Sequence, residues 1–107
     1  MTTMKTDNAY RFLGLIYRAG KVVWGYQAVM KALSKGNIIL LIVAGDCSPR
    51  LKNKLLAICR QCGSQAVVYG HKVELGTALG KPPCAVVGIT DYELARVIRQ
   101  KLQEVDV

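Results

Sequence analysis

Little in this 107-residue chain favours a membrane, a metal or a catalytic cluster. Its longest apolar run, Ile38–Gly45, is far shorter than the roughly 20 residues a membrane span needs. Met1 to Asp7 is polar and lacks the apolar core of a signal peptide. A cytoplasmic protein is therefore expected, with Cys47, Cys59, Cys62 and Cys84 as thiols. Cys59 and Cys62 form a C-x-x-C late in a predicted helix. A zinc site usually needs four ligands, and Cys47 and Cys84 have no ligand-like spacing to this pair. A redox C-x-x-C normally opens a helix, where the dipole lowers the thiol pKa. Structural thiols are expected, with no metal and no cofactor.

Catalytic signals are equally sparse. His71 is the single histidine, and no Ser, Cys or carboxylate is spaced to partner it. Asp46 follows a strand, where its expected role is to make a turn. Leu75–Cys84 superficially resembles a phosphate loop. Its glycines are one residue too close, Lys81 is followed by proline, and it follows a helix rather than a strand. A non-enzyme is expected.

The most telling shortage is of acid. Between Asp7 and Asp46 there are five Lys or Arg and no Asp or Glu. Five of the seven acidic residues lie at or after Glu74, and the formal net charge is +8. That excess favours a polyanionic partner: RNA, DNA or anionic lipid.

What is present alternates regularly. A helix is expected from Asp7, as its cap, to about Ala19, with Phe12, Leu13, Ile16 and Tyr17 inward and Gly20 ending it. Lys21–Trp24 reads as a short strand, and Tyr26–Lys35 as a helix stopped by Gly36-Asn37. Ile38–Ala44 fits a strand buried on both faces. Ser48 and Pro49 open a third helix that Gly63 stops. Gln65–Tyr69 is a strand, His71–Leu79 a helix closed by Gly80, and Cys84–Ile89 the last strand. Thr90 to Glu93 reads as a capping box for the final helix. Helices on both faces of a four-stranded sheet follow, in one domain spanning 1–107 without linker or repeat.

The candidate binding segment is Gly20–Lys31. After the corner at Gly25, Tyr26, Val29, Met30 and Leu33 share one helical face. Gln27, Lys31 and Lys35 share another, polar face. Gly25 allows close backbone approach, and amide donors at a helix start suit a phosphate. Lys21 lies just before the corner. Trp24 either plugs the end of the sandwich or stacks on an unpaired base. By itself such a lysine stripe is usually a solvated helix face.

Four stretches carry a resemblance. They are Ala19-Gly20-Lys21 with Gly25-x-Gln27-x-x-x-Lys31, the run ending Ala44–Pro49, Lys72-x-x-Leu75-Gly76-x-Ala78-x-Gly80, and Ala85–Ile89. In this order and spacing the chain resembles the ribosomal L-seven-Ae/L-thirty-e family of kink-turn RNA binders, most closely its small bacterial YlxQ-type members. The resemblance implies a three-layer α/β/α sandwich with a mixed four-stranded sheet. It implies that Gly25 and the following helix enter an RNA groove, that Lys31 and Lys72 match family lysines, and that Lys81, Pro82, Pro83 and Cys84 form a covering loop. Archaeal and eukaryotic members have Asn-Glu where this chain has Gln27-Ala28, and often basic residues where it has Val23 and Trp24.

The expected function is thus non-enzymatic binding of ribosomal or kink-turn-containing RNA, by a monomer that associates with ribosomes. The expected surface is Lys21, Trp24, Gly25, Tyr26, Gln27, Lys31, Lys35, Lys72, Lys81, Pro82 and Pro83. The alternative is a protein-interaction adapter on the same fold.

Overall fold

The computed structural model describes residues 2–104, with side-chain environments over 8–102. Five helices alternate with four strands: α1 (Thr2–Arg18), β1 (Val22–Trp24), α2 (Tyr26–Ser34), β2 (Leu40–Val43), α3 (Pro49–Gln61), β3 (Gln65–Val68), α4 (Lys72–Leu79), β4 (Val86–Ile89) and α5 (Tyr92–Glu104). The sheet order is β1-β4-β2-β3. β2 pairs parallel with β3, and β4 pairs antiparallel with both β2 and β1, so the sheet is mixed.

β2 and β4 are the inner strands, and every residue of both is buried. Alternation along β2 sends Leu40 and Ile42 to one face and Leu41 and Val43 to the other. The first face packs against α1, α4 and α5 through Leu13, Ile16, Leu75, Leu79 and Ile98. The second packs against α2 and α3 through Val29, Leu33, Leu55 and Cys59. Each such aliphatic side chain contributes roughly 1.5–3 kcal/mol on burial. The result is the expected three-layer α/β/α sandwich.

Glycine ends the helices where expected. Gly36, Gly63 and Gly80 have φ of 73°, 76° and 70°, the left-handed region that stops a helix. Ser48 caps α3 by accepting from the Leu51 N–H at 3.2 Å. Two expected caps differ. Asp7 lies inside α1 rather than at its start, because Thr2–Asn8 holds no glycine or proline to stop the helix earlier. At α5 the cap is Asp91, whose Oδ1 accepts from the Leu94 N–H at 2.9 Å. Thr90 still belongs to the sheet, its N–H bonded to the Lys21 carbonyl, and Glu93 turns to Arg96 instead. The capping-box reading therefore misplaces the helix start by one residue.

Strand polarity brings distant segments to one end. β1, β2 and β3 finish there and β4 begins there: Val43 pairs with Val86, and the Gly25 N–H reaches the Val86 carbonyl. The starts of α2, α3 and α4 follow those three strands, so all three lie at this end.

Among the described residues no helix is long and apolar enough to cross a membrane.

Candidate nucleic-acid interface

At the corner, Gly25 has φ 90° and ψ 153°, which side chains of L residues resist. A Cβ there would meet nothing within 4 Å. Conformation, not crowding, requires glycine, and the backbone stays open to approach. The first intrahelical bond of α2 runs from the Val29 N–H to the Gly25 carbonyl at 3.0 Å. The N–H groups of Tyr26, Gln27 and Ala28 precede it, and no side chain caps them. An exposed, uncapped helix start of this kind attracts anions.

An exposed aromatic ring stands on each side of the corner. Trp24 and Tyr26 are each 37% exposed. Lys81 Nζ lies 5.2 Å from the Trp24 ring centroid and 5.7 Å from that of Tyr17. Lys54 Nζ lies 5.5 Å from the Tyr26 ring. Each pairing contributes about 0.5–1 kcal/mol at such exposure. It also keeps a positive charge beside a flat apolar face, a combination suited to a phosphate next to an unstacked base.

Lys81–Pro83 reaches the corner because α4 has glycine at position 76. A Cβ on Gly76 would overlap the carbonyl of Pro82 and sit 2.9 Å from the Lys81 oxygen. The loop is further tied by the Lys81 N–H to the Gly76 carbonyl at 2.8 Å, and by the Cys84 N–H to the Lys72 carbonyl at 2.9 Å. Pro82 and Pro83 are exposed, and Lys81 is half-buried between its rings.

The other expected residues divide. Gln27 and Lys31 are exposed on α2 beside the corner. Lys35 caps the far end of that helix, about 12 Å from Gln27 along the axis. Lys72 is exposed at the same sheet end as the corner, where its N–H donates to Asp46 Oδ1 at 2.9 Å. Asp46 thus caps α4 from 26 residues away, a role beyond the local turn. Lys21 stands at the opposite end of β1, against Thr90, so the strand separates it from the corner by roughly 13 Å.

The sequence reading missed Lys54 and Tyr17. A signal for Lys54 exists: Asp46 to Glu74 is another acid-free stretch, holding Arg50, Lys52 and Lys54. Nothing local marks Tyr17, which reaches Lys81 only through the fold.

A small polar network borders this end. Glu74 Oε1 accepts from the Tyr10 hydroxyl at 2.7 Å and lies 3.1 Å from His71 Nδ1. The hydrogen bond from Tyr10 is the largest influence holding the Glu74 carboxyl below its ordinary range. Burial, then the same bond, pushes the Tyr10 hydroxyl well up. Cys59 is buried and its thiol contacts the Gln65 carbonyl, while Cys62 is exposed. Burial pushes the Cys59 thiol up, away from the thiolate a metal would need.

The chain is similar to several known proteins. The large ribosomal subunit protein eL30 of Neurospora crassa is 35% identical over 81 residues, 74% of each chain. Its counterpart in Sulfurisphaera tokodaii is 30% identical over 90 residues, covering 82% of this chain and 85% of that one. Among solved structures, a Bacillus halodurans protein of unknown function superposes with a TM-score of 0.84 at 30% identity, covering 89% of this chain and 96% of its own. A 15.5 kD RNA binding protein of Giardia lamblia shares the fold at a TM-score of 0.75 and 21% identity, over 98% and 88% of the two chains. The family model described as ribosomal protein L7Ae/L30e/S12e/Gadd45 matches residues 7–99, and to that family this chain belongs.

Proposed function

We propose that this protein is a non-enzymatic, ribosome-associated RNA binder that holds structured, kink-turn-like RNA at the sheet end around Gly25. One observation carries the reading. Trp24 and Tyr26 flank an uncapped helix start, and each has a lysine ammonium over its ring. Such a surface offers amide donors and charge to phosphates, and flat faces to unpaired bases. Gln27 presents a donor and an acceptor to a base edge, and Lys31 and Lys35 continue the positive track along α2. Lys72 and the Lys81–Pro83 loop close from the side. The ribosomal proteins among its relatives and the RNA-binding fold neighbour support the same direction.

The test is a titration followed by Trp24 fluorescence, the chain having a single tryptophan. The ligands are a kink-turn duplex and the same duplex with its sheared G·A pairs replaced by Watson–Crick pairs. Salt-dependent binding that prefers the kink-turn is expected. Equal binding to both would remove the kink-turn part and leave general RNA binding. If Lys31→Ala with Lys35→Ala leaves affinity unchanged, the α2 stripe is not the contact surface. No binding to either RNA would sink the proposal and favour an adapter working through a protein partner.

A further inference from the structure

A recess lies at the end of the sheet opposite Gly25, where β2 and β3 begin and α5 starts. It is a cleft of about 510 Å³. One wall belongs to α5, where Tyr92, Arg96 and Arg99 fall at i, i+4 and i+7 on one face. Tyr92 is 67% exposed, more than any other large apolar side chain among the described residues. Arg99 Nη1 donates to Gln65 Oε1 at 2.8 Å, while its buried Nε has no hydrogen-bond partner among the described residues. Arg96 gives one N–H to Glu93 and keeps its other donors.

The facing wall has the reverse character. Here α2 and α3 close, and Gly36 and Gly63, just past their caps at Lys35 and Cys62, line the cleft. Most last-turn carbonyls there already accept from the N–H groups of Lys35, Gly36, Cys62, Gly63 and Ser64, so these helix ends bring chiefly partial negative charge. A bare anion is drawn by the arginines and repelled by these carbonyls. A purely apolar ligand would meet Ile38, Ile39 and Ala95 but leave the arginines unanswered. A nucleotide fits both: phosphate on one side, an amino-bearing base on the other, and a ring for it to stack on.

We propose that this cleft binds a nucleoside monophosphate unit whose base carries an exocyclic amino group. The base lies against Tyr92, the phosphate meets Arg96 and Arg99, and the amino edge faces the ends of α2 and α3. The unit is either a free nucleotide or an unpaired nucleotide of an RNA strand.

Amide spectra of the full chain test this, with adenosine monophosphate, uridine monophosphate and a short oligoadenylate as probes. Adenosine monophosphate is expected to move the Gly36, Gly63 and Ala95 amides, more tightly than uridine monophosphate, while the Trp24 indole signal stays in place. Tyr92→Ala, at an exposed position that leaves the fold intact, is expected to weaken binding about fivefold or more. Movement with oligoadenylate but not the mononucleotide, lost in Tyr92→Ala, identifies the RNA strand as the source. The proposal is overturned if neither adenosine monophosphate nor oligoadenylate moves these amides, or if Tyr92→Ala binds as the parent does. Because the Trp24 signal reports the other end of the sheet, failure here is distinguishable from failure of the proposal for the Gly25 surface.

Discussion

Gly76→Ala sets two physical effects against each other, and its sign decides between them. Gly76 is an interior residue of α4. At such a position alanine is ordinarily about 1 kcal/mol better than glycine, because it loses less backbone entropy. Here the added methyl would overlap the Pro82 carbonyl and lie 2.9 Å from the Lys81 oxygen. Both obstacles are backbone, so no side-chain rotation relieves them. Overpacking of this kind costs about 1–3 kcal/mol, and a clash with fixed backbone belongs at the upper end. The expected net is a loss of about 1–2 kcal/mol. With a urea dependence of about 1–2 kcal/mol per molar, the unfolding midpoint should fall by roughly 1 M. The loop can relieve the overlap only by leaving α4, which would carry Lys81 away from Trp24. Gly76→Ala should therefore also weaken RNA binding, though Gly76 itself contacts no RNA in the proposed mode. Thr77→Ala, on an exposed face of the same helix, is the control and should stay within about 0.5 kcal/mol of the parent. A Gly76→Ala protein as stable as the parent, or more so, would refute the claim that this glycine seats the loop.

Four further outcomes follow from the geometry. Lys81→Ala should weaken RNA binding about equally across sequences and lower the salt slope by about 1, as measured by titration at several salt concentrations. Ala28→Glu should increase discrimination for the kink-turn over its Watson–Crick control, by about 1–3 kcal/mol in competition binding, because a carboxylate gains an accepting role at a base edge. Asp46→Ala removes the acceptor for the Lys72 N–H, so it should cost about 1 kcal/mol in urea unfolding and speed hydrogen exchange at that amide. Tyr10→Phe should flatten the pH dependence of stability at both ends. The Glu74 carboxyl is held below its ordinary value of 4.5, so its contribution is present above that value and fades as pH falls through the lower folded pKa. The Tyr10 hydroxyl is held above its ordinary value of 10.0, so the folded state loses stability as pH rises beyond about 10. Thermal unfolding across pH would show both limbs, and unchanged limbs in Tyr10→Phe would refute the coupling.

Much of the fold is local enough to read from sequence. The apolar run Ile38–Ala44 announces an inner strand, and Ser48-Pro49 and the glycines at 36, 63 and 80 mark helix ends by their own chemistry. What escapes is whatever depends on strand order. β4 inserts between β1 and β2, although it is the last strand in the chain. That insertion sets Lys81 beside Trp24 and Tyr17, while the parallel pairing of β2 with β3 sets Asp46 against the Lys72 N–H. Lys21 lies at the far end of β1 from Gly25 for a local reason, since the extended strand Val22–Trp24 stands between them. The alternatives for Trp24 could not be separated in advance, since burial at a strand end depends on which loop arrives over it. The loop that arrives brings a lysine and leaves more than a third of the tryptophan open.

α2 and α3 run the same way along the sandwich, from the Gly25 end to the Gly36 and Gly63 end. Each helix carries about half an elementary charge of either sign at its termini. Together they add roughly one positive charge to one end of the molecule and one negative charge to the other, whatever the side chains do. In the field of a polyanion the protein would rotate before it touches. Collisions would then fall on the Gly25 end more often than chance allows, so the direction of two helices would shape the rate of association as well as its strength.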